Sequence, residues 1–510
     1  MVNDEDVDGG ADGFELEAEL LLDGGEDAGR GVGIGDVGLV PGVADGEVEA
    51  AGEAGLVDGG AVEEEVHAED EVVDRGAGVG LVLLGAVAVA ILVGLGVGVG
   101  GGGEFGAAFG DADGVDGELA LLDVELELEA VGEELFDHAL LLAEAGFALG
   151  VGLAWSEGSA GLSLTLCADS VQPGRIDGAL VARMRASVLL LGAILARCGT
   201  ASLPLPGGDA IGLRGIDFHL AGLRAMGARI ELDSGLIRAE APDGLHGAEI
   251  FLPFPSVGAT ENLLLAAVLA EGRTTLHNTA REPEIGDLIG CLRSMGAKIA
   301  DTGGGVLAIE GGTPLTGAIH RVMPDRIELG TIACAAALTD GEIVLEPAEA
   351  ALLGAAGPLL NQAGVALEAT ATGLIARRAP AGLVGIDLTT QPFPGFATDL
   401  QAPVLALLTR ARGASAVTET IFEQRFRHVD ELRRMGATIR VQGRTAWVRG
   451  VARLQGARVT ASDVRAAAAL VLAGLAAEGE TVLDGLDHLD RGYDGMVEKL
   501  AACGADIRRS

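Results

Sequence analysis

The segment LRAMGARI (223–230) decides the fold of this chain, because close copies of it return at a nearly constant interval. The copies are LRSMGAKI (292–299), LNQAGVAL (360–367), LRRMGATI (432–439) and LAACGADI (500–507). Their glycines are 69, 68, 72 and 68 residues apart. A fixed period of this length indicates that one supersecondary unit has been copied along the chain. A second glycine marker, between an apolar run and a β-rich run, recurs at Gly199, Gly272, Gly341, Gly413 and Gly479.

Each copy contains the same order of secondary-structure signals. An apolar helical stretch such as SVLLLGAILAR (187–197) is followed by a glycine, a short β-rich run, a second helix, a C-capping glycine and two strands. This order predicts an α/β fold of βαβαββ units of about 70 residues, with apolar helices inside a shell of sheet. We expect two three-fold domains, 161–323 and 324–510, with five complete units of an expected six. The segment GLSLTLCAD (161–169) matches the hairpin end of the unit whose beginning is missing.

The first 160 residues differ in composition from the rest. The chain has a formal net charge of −42, and the only lysine or arginine residues of this segment are Arg30 and Arg75. It is written almost wholly in Gly, Ala, Val, Asp, Glu and Leu. Such a segment is either disordered, since it cannot bury enough apolar surface, or a GC-rich gene translated in a wrong frame. We therefore expect residues 1–160 to be disordered or mistranslated.

One stretch of this acidic segment, residues 76–103, is uncharged and long enough to cross a bilayer. Against a membrane span, the stretch is rich in glycine and only Arg75 could serve as a positive flank. The chain does not open with a charged region of the signal-peptide kind. We do not favour a membrane partner and expect a cytoplasmic protein.

Several function classes are disfavoured by the rest of the composition. The chain has no basic patch that would suit nucleic acid, so we predict no nucleic-acid partner. The cysteines show no CxxC spacing and the histidines no metal spacing, which predicts neither a metal site nor a disulfide framework. The five cysteines are Cys167, Cys198, Cys291, Cys334 and Cys503.

Polar residues cluster where the first helix of each unit begins. Helix N-termini present free N–H groups and a positive dipole end, so they suit phosphate and carboxylate ligands. The alternative is helix capping, for which Ser and Asp are preferred residues. Capping does not explain why arginine accompanies three of these clusters. The clusters contain Arg185, Ser256, Asp325 with Arg326, Asp399, and Asp463 with Arg465.

Eight segments together resemble the UDP-N-acetylglucosamine enolpyruvyl (1-carboxyvinyl) transferases of the EPSP synthase superfamily. The resemblance covers about 165–510, with the segments in order. The segments are MRASVLLLG, PGGDAIGLRGIDFHL, FPSVGATEN, AREPEI, PDRIELGT, TETIFEQRFRHVDEL, SDVRAA and HLDRGYD. The resemblance implies two inside-out α/β domains, each of three βαβαββ units, that close over the substrates. It also implies transfer of the enolpyruvyl group of phosphoenolpyruvate to the 3′-hydroxyl of UDP-N-acetylglucosamine, with no metal or organic cofactor.

The resemblance places Asp209 where these enzymes carry a cysteine, or in some members an aspartate, as proton donor. Protonation of the methylene carbon of an enol ether needs such an acid. A carboxylic acid can serve if its pKa is raised, as a closed site would favour. Without a thiolate, the thiol-directed epoxide fosfomycin has nothing to alkylate, so we expect resistance to it. The alternative is that Asp209 is an ordinary turn residue.

The same resemblance assigns the remaining site. Asp399 is the expected base or orienting group for the sugar hydroxyl, in its charged form because a helix N-terminus lowers its pKa. Arginines are expected to clamp phosphate and carboxylate, because their planar fork suits that task. Surface salt bridges are the alternative for them. The catalytic set is Asp209, Asp399 and Arg491, and the substrate-binding set is Arg185, Arg214, Gly215, Ile216, Asp217, Phe218, Phe254, Pro255, Ser256, Val257, Asp325, Arg326, Ile421, Arg425, Asp463 and Arg465.

The chain departs from the family at one important place. The family has a Lys-Asn pair in its first unit that grips both substrates, whereas the first lysine here is Lys298. Three hypotheses follow: an enolpyruvyl transferase, an inactive homologue that binds a UDP-sugar, and a membrane-tethered scaffold using residues 76–103. His219 and His428 are expected to be structural hydrogen-bonding residues, and Tyr493 to be a packing residue.

Overall fold

The structure is a computed structural model that describes residues 104–106, 123–128, 152–158, 161–167, 171, 176–316, 318, 320–493 and 495–509. The run 76–103 and most of the acidic segment lie outside the described residues. The described residues belong to one compact unit. Within it, buried apolar side chains form two large cores, one from Ile176 to Ile309 and the other from Ile327 to Leu500. We call residues 176–323 the first lobe and residues 324–509 the second lobe.

The helices carry the buried apolar stretches predicted from the sequence. In the first lobe they are α1 (Gly178–Arg183), α2 (Leu189–Cys198), α3 (Asp217–Ala225), α4 (Val257–Leu269) and α5 (Pro283–Ser294). In the second lobe they are α6 (Arg326–Leu338), α7 (Ala356–Ala363), α8 (Gln401–Leu408), α9 (His428–Arg434), α10 (Val464–Leu475), α11 (Leu486–Asp490) and α12 (Met496–Ala502).

The strands up to the end of the first lobe form three sheets. They are β1 (Glu104–Gly106), β2 (Asp123–Leu128), β3 (Gly152–Gly158), β4 (Gly161–Cys167), β5 (Thr200–Pro204), β6 (Arg229–Asp233), β7 (Leu236–Glu240), β8 (Glu249–Phe251), β9 (Arg273–His277), β10 (Lys298–Asp301), β11 (Val306–Glu310) and β12 (His320–Arg321). Their orders are β12-β1-β2-β4-β3, β5-β7-β6 and β10-β11-β9-β8.

The strands of the second lobe continue the same pattern. They are β13 (Glu342–Leu345), β14 (Val365–Ala369), β15 (Leu374–Arg378), β16 (Leu388–Thr389), β17 (Ala414–Thr418), β18 (Thr438–Gln442), β19 (Thr445–Arg449), β20 (Leu454–Gln455), β21 (Arg458–Thr460), β22 (Ala477–Glu478) and β23 (Val482–Asp484). Their orders are β13-β15-β14, β16-β17-β19-β18, β20-β22 and β21-β23.

The predicted βαβαββ order is visible in each lobe. In the first lobe β8 and β9 pair in parallel across α4, and after α5 the hairpin β10–β11 pairs antiparallel with β9. The second lobe repeats this order with β16, α8, β17, α9, β18 and β19. Parallel pairing requires a crossover connection, which the helix supplies. Every residue of α8 is buried, while β7 and β19 alternate buried and exposed positions, so the helices lie inside and the sheets face solvent.

The repeated glycines end helices, as their pattern predicts. The motif glycines have φ near +95°, which costs glycine little because it has no Cβ, and their values are 101° for Gly227, 98° for Gly296, 96° for Gly364, 89° for Gly436 and 94° for Gly504. After α3, the N–H of Ala228 donates to the carbonyl of Leu223 at 3.0 Å, the longer bond of a Schellman cap. The arginine of the motif also has a repeated contact: it donates to the carbonyl of the isoleucine that closes the motif in three copies, from Arg224 to Ile230, Arg293 to Ile299 and Arg433 to Ile439.

The sheet around β4 extends into the acidic segment. The predicted strand at 161–169 is β4, and it pairs antiparallel with both β3 and β2. The chain pattern DVELEL of β2 alternates polar and apolar residues, which suits a strand. The described part of residues 1–160 therefore comprises strands β1 to β3, and β12 completes their sheet. Among the described helices, none is both long enough and apolar enough to cross a membrane.

Candidate functional site

A solvent-open cleft of about 430 Å³ lies between the two lobes. Both lobes contribute residues to its walls, so the shape of the cleft depends on the position of one lobe relative to the other. Its lining includes Phe254, Pro255 and Glu282 from the first lobe, and Arg326, Asp399 and Ile421 from the second. Five of these six belong to the predicted site, and Glu282 is an addition. A concave site with a few converging polar groups is the usual form of a small-molecule site.

Asp399 lies at the wall of this cleft in a single turn of 3-10 helix before α8. Its side chain is 1% exposed. Oδ1 accepts a hydrogen bond from Arg425 Nη2 at 2.5 Å, and Oδ2 accepts one from Arg465 Nη2 at 3.0 Å. The two guanidinium groups are themselves buried, and the Arg425 guanidinium lies over the Phe422 ring at 5.4 Å. A buried carboxylate with two buried arginines forms a fixed ionic centre.

The charge state of Asp399 follows from these neighbours. Burial alone would raise the pKa of Asp399, but the positive charges of Arg425 and Arg465 outweigh burial and hold the pKa below its ordinary value. The lowered pKa has the predicted direction. Its cause is the arginine pair, whereas the sequence suggested a helix N-terminus.

A second buried ion pair adjoins the cleft. Arg326 Nε donates to Glu284 Oε1 at 2.9 Å, which joins the start of α6 to α5 across the lobes. The neighbouring Glu282 accepts a hydrogen bond from the Phe393 N–H at 3.4 Å, and burial raises the pKa of Glu282 above its ordinary value. The AREPEI segment therefore links the lobes beside the cleft.

Asp209 lies in the glycine-rich loop between β5 and α3, and the loop meets the second lobe. Oδ1 is 3.3 Å from Arg491 Nη2 and 3.7 Å from His488 Nδ1, while Oδ2 accepts a weak hydrogen bond from the Val464 N–H at 3.5 Å. The Asp209 side chain is 18% exposed. The structure thus brings Asp209 and Arg491 together, as predicted, and adds His488.

The predicted charge state of Asp209 is wrong for this arrangement. We expected a raised pKa, and burial does act in that direction. The contact with His488, the charge of Arg491 and the Val464 N–H together outweigh burial, so the pKa of Asp209 is lower than its ordinary value. Asp209 is therefore a carboxylate at neutral pH in this arrangement, and it must gain a proton before it can donate one.

Two further predicted arginines flank the same loop. Gly208 has φ of +118°, and a Cβ at this position would lie 3.1 Å from both Arg185 Cβ and Arg214 Nη1. Arg185 Nη2 donates to the Gly215 carbonyl at 2.6 Å, which ties the 3-10 turn before α2 to the end of the loop. The Arg214 guanidinium lies 5.9 Å from the centre of the Phe422 ring, at the limit of a cation–π contact. Arg185 and Arg214 therefore adjoin the loop that carries Asp209, and the Arg491 guanidinium lies against Asp209 itself.

The N-terminus of α10 connects the two carboxylates. Asp463 caps this helix by accepting hydrogen bonds from the N–H groups of Arg465 and Ala466 at 3.1 and 3.0 Å. The Val464 N–H points to Asp209, and the side chain of Arg465 binds Asp399. One helical turn thus places a donor on each carboxylate.

Two other predicted residues are helix caps in the structure. Ser256 accepts a hydrogen bond from the Ala259 N–H at 3.3 Å at the start of α4. Asp325 accepts from the N–H groups of Ile327 and Glu328 at the start of α6, at 2.7 and 3.2 Å. The capping alternative therefore accounts for these two side chains and for Asp463.

Some predicted substrate-binding residues do not present side chains to the cleft. Ile216, Phe218 and Val257 are buried in the core of the first lobe because each lies beside or within the first turn of α3 or α4. Asp217 is exposed at the start of α3, and Gly215 offers only its backbone. A ligand could meet this set mainly through the backbone.

The Asp209 loop is fastened to the second lobe by residues that sequence patterns did not single out. The Leu213 N–H donates to Glu423 Oε1 at 2.7 Å, and the Gln424 N–H donates to the Ile211 carbonyl at 3.0 Å. Ile211 also packs against Ile421 and Phe422 in a small buried cluster. These contacts hold Asp209 across the boundary between the lobes.

Glu419 is another residue that the sequence did not predict, and it hydrogen-bonds to the segments that form the cleft wall. Its buried carboxylate accepts hydrogen bonds from Thr390 and Thr398 at 2.8 Å each. It also accepts from the N–H groups of Ile421 and Phe422 at 2.7 and 3.1 Å. A sequence signal for Glu419 exists in the segment TETIFEQRF, where an acid lies between two threonines and precedes an apolar pair. The segment does not reveal which other parts of the chain this acid contacts.

The remaining candidate residues have structural contacts. His219 Nδ1 lies 2.9 Å from Asn262 Nδ2 in the first core. His428 is buried near Asp463 and Arg425, and burial lowers its pKa to about 4. Tyr493 is buried, and its hydroxyl lies 3.0 Å from Thr331 Oγ1, so it has a hydrogen bond in addition to its packing. Within the described residues there is no group of three or more His, Cys, Asp or Glu that could hold a metal ion.

Comparison with known proteins gives a consistent set of relatives. A family model described as EPSP synthase (3-phosphoshikimate 1-carboxyvinyltransferase) matches residues 166–500. A UDP-N-acetylglucosamine 1-carboxyvinyltransferase from Granulibacter bethesdensis is 58% identical over 330 residues, which is 65% of this chain and 78% of that protein. One of the same name from Rhodospirillum centenum is 50% identical over 397 residues, or 77% of this chain and 91% of that protein. Because 77% of the chain exceeds the part after residue 160, this match reaches into the acidic segment.

Solved structures show the same architecture. The enolpyruvyl transferase NikO from Streptomyces tendae superposes with a TM-score of 0.68 at 25% identity, covering 86% of this chain and 95% of that chain. An EPSP synthase from Acinetobacter baumannii superposes with a TM-score of 0.58 at 18% identity, covering 86% of this chain and 97% of that chain, which supports the fold alone.

Proposed function

This chain belongs to the EPSP synthase family of enolpyruvyl transferases, and we propose that it transfers the enolpyruvyl group of phosphoenolpyruvate to the 3′-hydroxyl of UDP-N-acetylglucosamine. The product would enter peptidoglycan synthesis in the cytoplasm. The observation that carries this proposal is the high identity to proteins of that name over most of their length. The structure adds support, because Asp399 at the cleft wall and Asp209 in its loop each lie against arginine side chains.

The two carboxylates suit the two proton-handling tasks of the reaction. In the addition step, the π electrons of phosphoenolpyruvate take a proton at the methylene carbon, and the sugar oxygen bonds to the neighbouring carbon. Asp209, once protonated, is the proposed acid, and Asp399 orients the 3′-hydroxyl and attracts its proton. In the elimination step, the methyl group loses a proton, the double bond reforms and phosphate leaves with its electron pair.

The arginines suit the charges of phosphoenolpyruvate. The substrate carries a carboxylate and a phosphate, and guanidinium groups bind both in a planar, two-pronged manner. Arg185, Arg214 and Arg491 adjoin the Asp209 loop, so they are the proposed clamp. When Arg491 binds the substrate, its positive charge is partly neutralised by the substrate, and Asp209 gains an anionic neighbour. Both changes favour the protonated acid.

The sugar nucleotide is the proposed occupant of the cleft between the lobes. Phe254, Pro255 and Ile421 give it an apolar wall, and Arg326 gives it a cation. Glu282 has a raised pKa in the same wall, which makes it a candidate for polar contact with the sugar. The reaction centre then lies where the cleft meets Asp399.

A second function is supported by one observation on the sequence. The first lysine is Lys298, so the Lys-Asn pair of the resembling enzymes has no counterpart in the preceding residues. A chain with this deficit could bind the UDP-sugar without turning it over. Membrane tethering through 76–103 concerns residues that lie outside those described.

Phosphate release from phosphoenolpyruvate by the purified full chain, with and without UDP-N-acetylglucosamine, tests the proposal. Sugar-dependent release together with a product of the expected mass would support the transferase. Calorimetric binding of UDP-N-acetylglucosamine without release would favour the inactive homologue. Neither binding nor release would remove both functions. As a control for the front segment, a chimera with a lysine-bearing first unit in place of residues 1–160 reports whether the rest of the chain is competent.

A further inference from the structure

His488 forms a three-membered cluster with Asp209 and Arg491, and the proposed reaction leaves its role open. It lies in α11, one turn before Arg491. Its Nδ1 is 3.7 Å from Asp209 Oδ1 and contacts Arg491 Nη2, which itself lies 3.3 Å from the same Oδ1. A single guanidinium nitrogen therefore faces both the ring nitrogen and the carboxylate.

The contact between Arg491 and His488 competes with protonation of the ring at Nδ1. A guanidinium group only donates hydrogen bonds, so Nδ1 accepts from Arg491 only while it carries no proton. While Arg491 holds this position, His488 cannot give Asp209 a proton from Nδ1. If Arg491 turns to an anionic ligand, Nδ1 faces Asp209 alone, at a distance that a small side-chain movement converts into a hydrogen bond.

The surrounding charges favour a protonated His488 in that second arrangement. The groups that face the ring are Asp209 from the loop, Arg491 from the end of α11 and Asp487 from α11 itself. The contact with Asp209 raises the pKa of His488, whereas burial and the charge of Arg491 oppose this rise. Withdrawal of Arg491 would remove one of the opposing effects. The ring is 26% exposed, so it can exchange protons with solvent.

We propose that His488 is a positioning residue that passes a proton to Asp209 when an anionic substrate draws Arg491 away. The proposal rests on the proposed function, because it explains how a carboxylate held ionised by Arg491 becomes the acid. The proton moves from Nδ1 to Oδ1, leaving a neutral imidazole and a carboxylic acid. The acid then protonates the methylene carbon, recovers the proton in the elimination step, and returns it to His488 and solvent.

The first experiment needs no turnover. The His488 ring is titrated by NMR in the full chain carrying labelled histidine, with His488→Asn used to assign its signal, before and after addition of inorganic phosphate. We expect phosphate to raise the pKa of His488 and Asp209→Asn to lower it, each by about one unit. An unchanged titration in Asp209→Asn would show that the two groups are not coupled, and this would overturn the proposal.

The second experiment separates titration from structure. In His488→Asn, the amide occupies the position of Nδ1 and can still hydrogen-bond, but it cannot carry the proton. We expect kcat to fall about 10- to 100-fold, with its dependence on pH near neutrality lost and the KM for UDP-N-acetylglucosamine unchanged. Added imidazole should restore part of kcat. The matched control is His246→Asn, at a half-exposed histidine of the first lobe.

The outcomes distinguish this proposal from the proposed function. Sugar-dependent phosphate release by the wild-type chain, combined with wild-type kcat and pH profile in His488→Asn, would overturn the role of His488 and leave the transferase intact. Absence of release by the wild-type chain would instead count against the transferase, and the NMR titration would still decide whether His488 and Asp209 are coupled. Thermal melting of each variant checks that it is folded.

Discussion

The two carboxylates of the site are both contacted by the first turn of α10, yet they are held in very different ways. Asp399 is sealed and hydrogen-bonded to two buried arginines at 2.5 and 3.0 Å. Asp209 is 18% exposed, and its arginine and histidine neighbours lie at 3.3 and 3.7 Å. A tight buried pair holds a carboxylate in its charged form, which is the form that attracts a hydroxyl proton, whereas a loose and partly exposed pair suits a group whose proton must come and go. We call these the sealed side and the adjustable side of the site.

The largest effect is expected on the sealed side, from Asp399→Asn. The substitution leaves Arg425 and Arg465 buried without their anion, so we expect the free energy of unfolding to fall by about 3–5 kcal/mol. Sugar-dependent phosphate release should also fall by about 10²–10⁴-fold. Urea unfolding and phosphate release measure the two effects, with Asp243→Asn at an exposed loop position as the control. Wild-type stability in Asp399→Asn would remove the distinction between the two sides.

On the adjustable side, Asp209→Asn should strongly reduce turnover but hardly change the free energy of unfolding. It removes the proposed acid, so we expect turnover to fall by about 10²–10⁴-fold. Its ion pair is loose and partly exposed, so the free energy of unfolding should change by less than about 1 kcal/mol. The same two measurements apply. A stability loss as large as that of Asp399→Asn would mean that Asp209 is a structural anchor.

Asp209→Cys sharpens the comparison by changing the chemistry of the adjustable side alone. Fosfomycin reacts with thiolates, so the wild-type chain should show no time-dependent inactivation by it. The cysteine variant should retain turnover within about tenfold of wild type if the thiol replaces the acid, and it should become sensitive to the drug. Progress curves with and without fosfomycin measure both. Inactivation of the wild-type chain would contradict the assignment of Asp209.

The fold was largely predictable because the signals that define it are local and repeated. The motif glycines predict helix ends, and the structure has them at positive φ, with Schellman hydrogen bonds at all of them except Gly364. Asp209 could be singled out because it lies in one of the eight resembling segments, and Asp399 because it belongs to a polar cluster at the start of a helix. What the sequence could not supply is the electrostatic balance at each carboxylate. The sign of the Asp209 pKa shift depends on His488 and Arg491, which lie about 280 residues away along the chain.

The acidic segment shows a limit of predicting structure from composition. Its composition suggested disorder or a wrong reading frame, yet β2 and β3 pair with β4 and a relative from Rhodospirillum centenum aligns into this segment. Composition averages over many residues, whereas strand pairing needs only a short alternating pattern such as DVELEL. The segment nevertheless contains no lysine, so the strands do not supply the lysine of the Lys-Asn pair.

The two histidines of the site give opposite dependences of stability on pH. Burial lowers the pKa of His428 to about 4, whereas an unfolded histidine titrates near 6.5. The unfolded chain therefore binds a proton first, and the contribution of neutral His428 is complete above pH of about 6.5 and lost as the pH falls towards 4. We expect this loss to be on the order of 2 kcal/mol in the wild-type chain and absent in His428→Gln. His488 has a raised pKa, so its contribution is present at low pH and lost as the pH rises.

Urea unfolding at pH 7 and pH 5 in both chains measures this difference. We expect the free energy of unfolding to fall less between pH 7 and pH 5 in His428→Gln than in the wild-type chain. His246→Asn, which changes a half-exposed histidine, should leave the decline as it is. An equal decline in all three chains would mean that His428 is not the group responsible.

The smallest effect is expected at the contact that holds the adjustable side in place. Glu423 is exposed, and it accepts a hydrogen bond from the Leu213 N–H at 2.7 Å. Gly212, with φ of +150°, lets the loop pass so close that a Cβ would lie 2.6 Å from the Glu423 carboxylate. Loss of one hydrogen bond is worth about 1 kcal/mol, so Glu423→Ala should lower kcat/KM by roughly threefold to tenfold. Because glutamine keeps the acceptor oxygen, Glu423→Gln should stay near wild type. Equal losses in both variants would mean that the charge of Glu423, and not its hydrogen bond, positions the Asp209 loop.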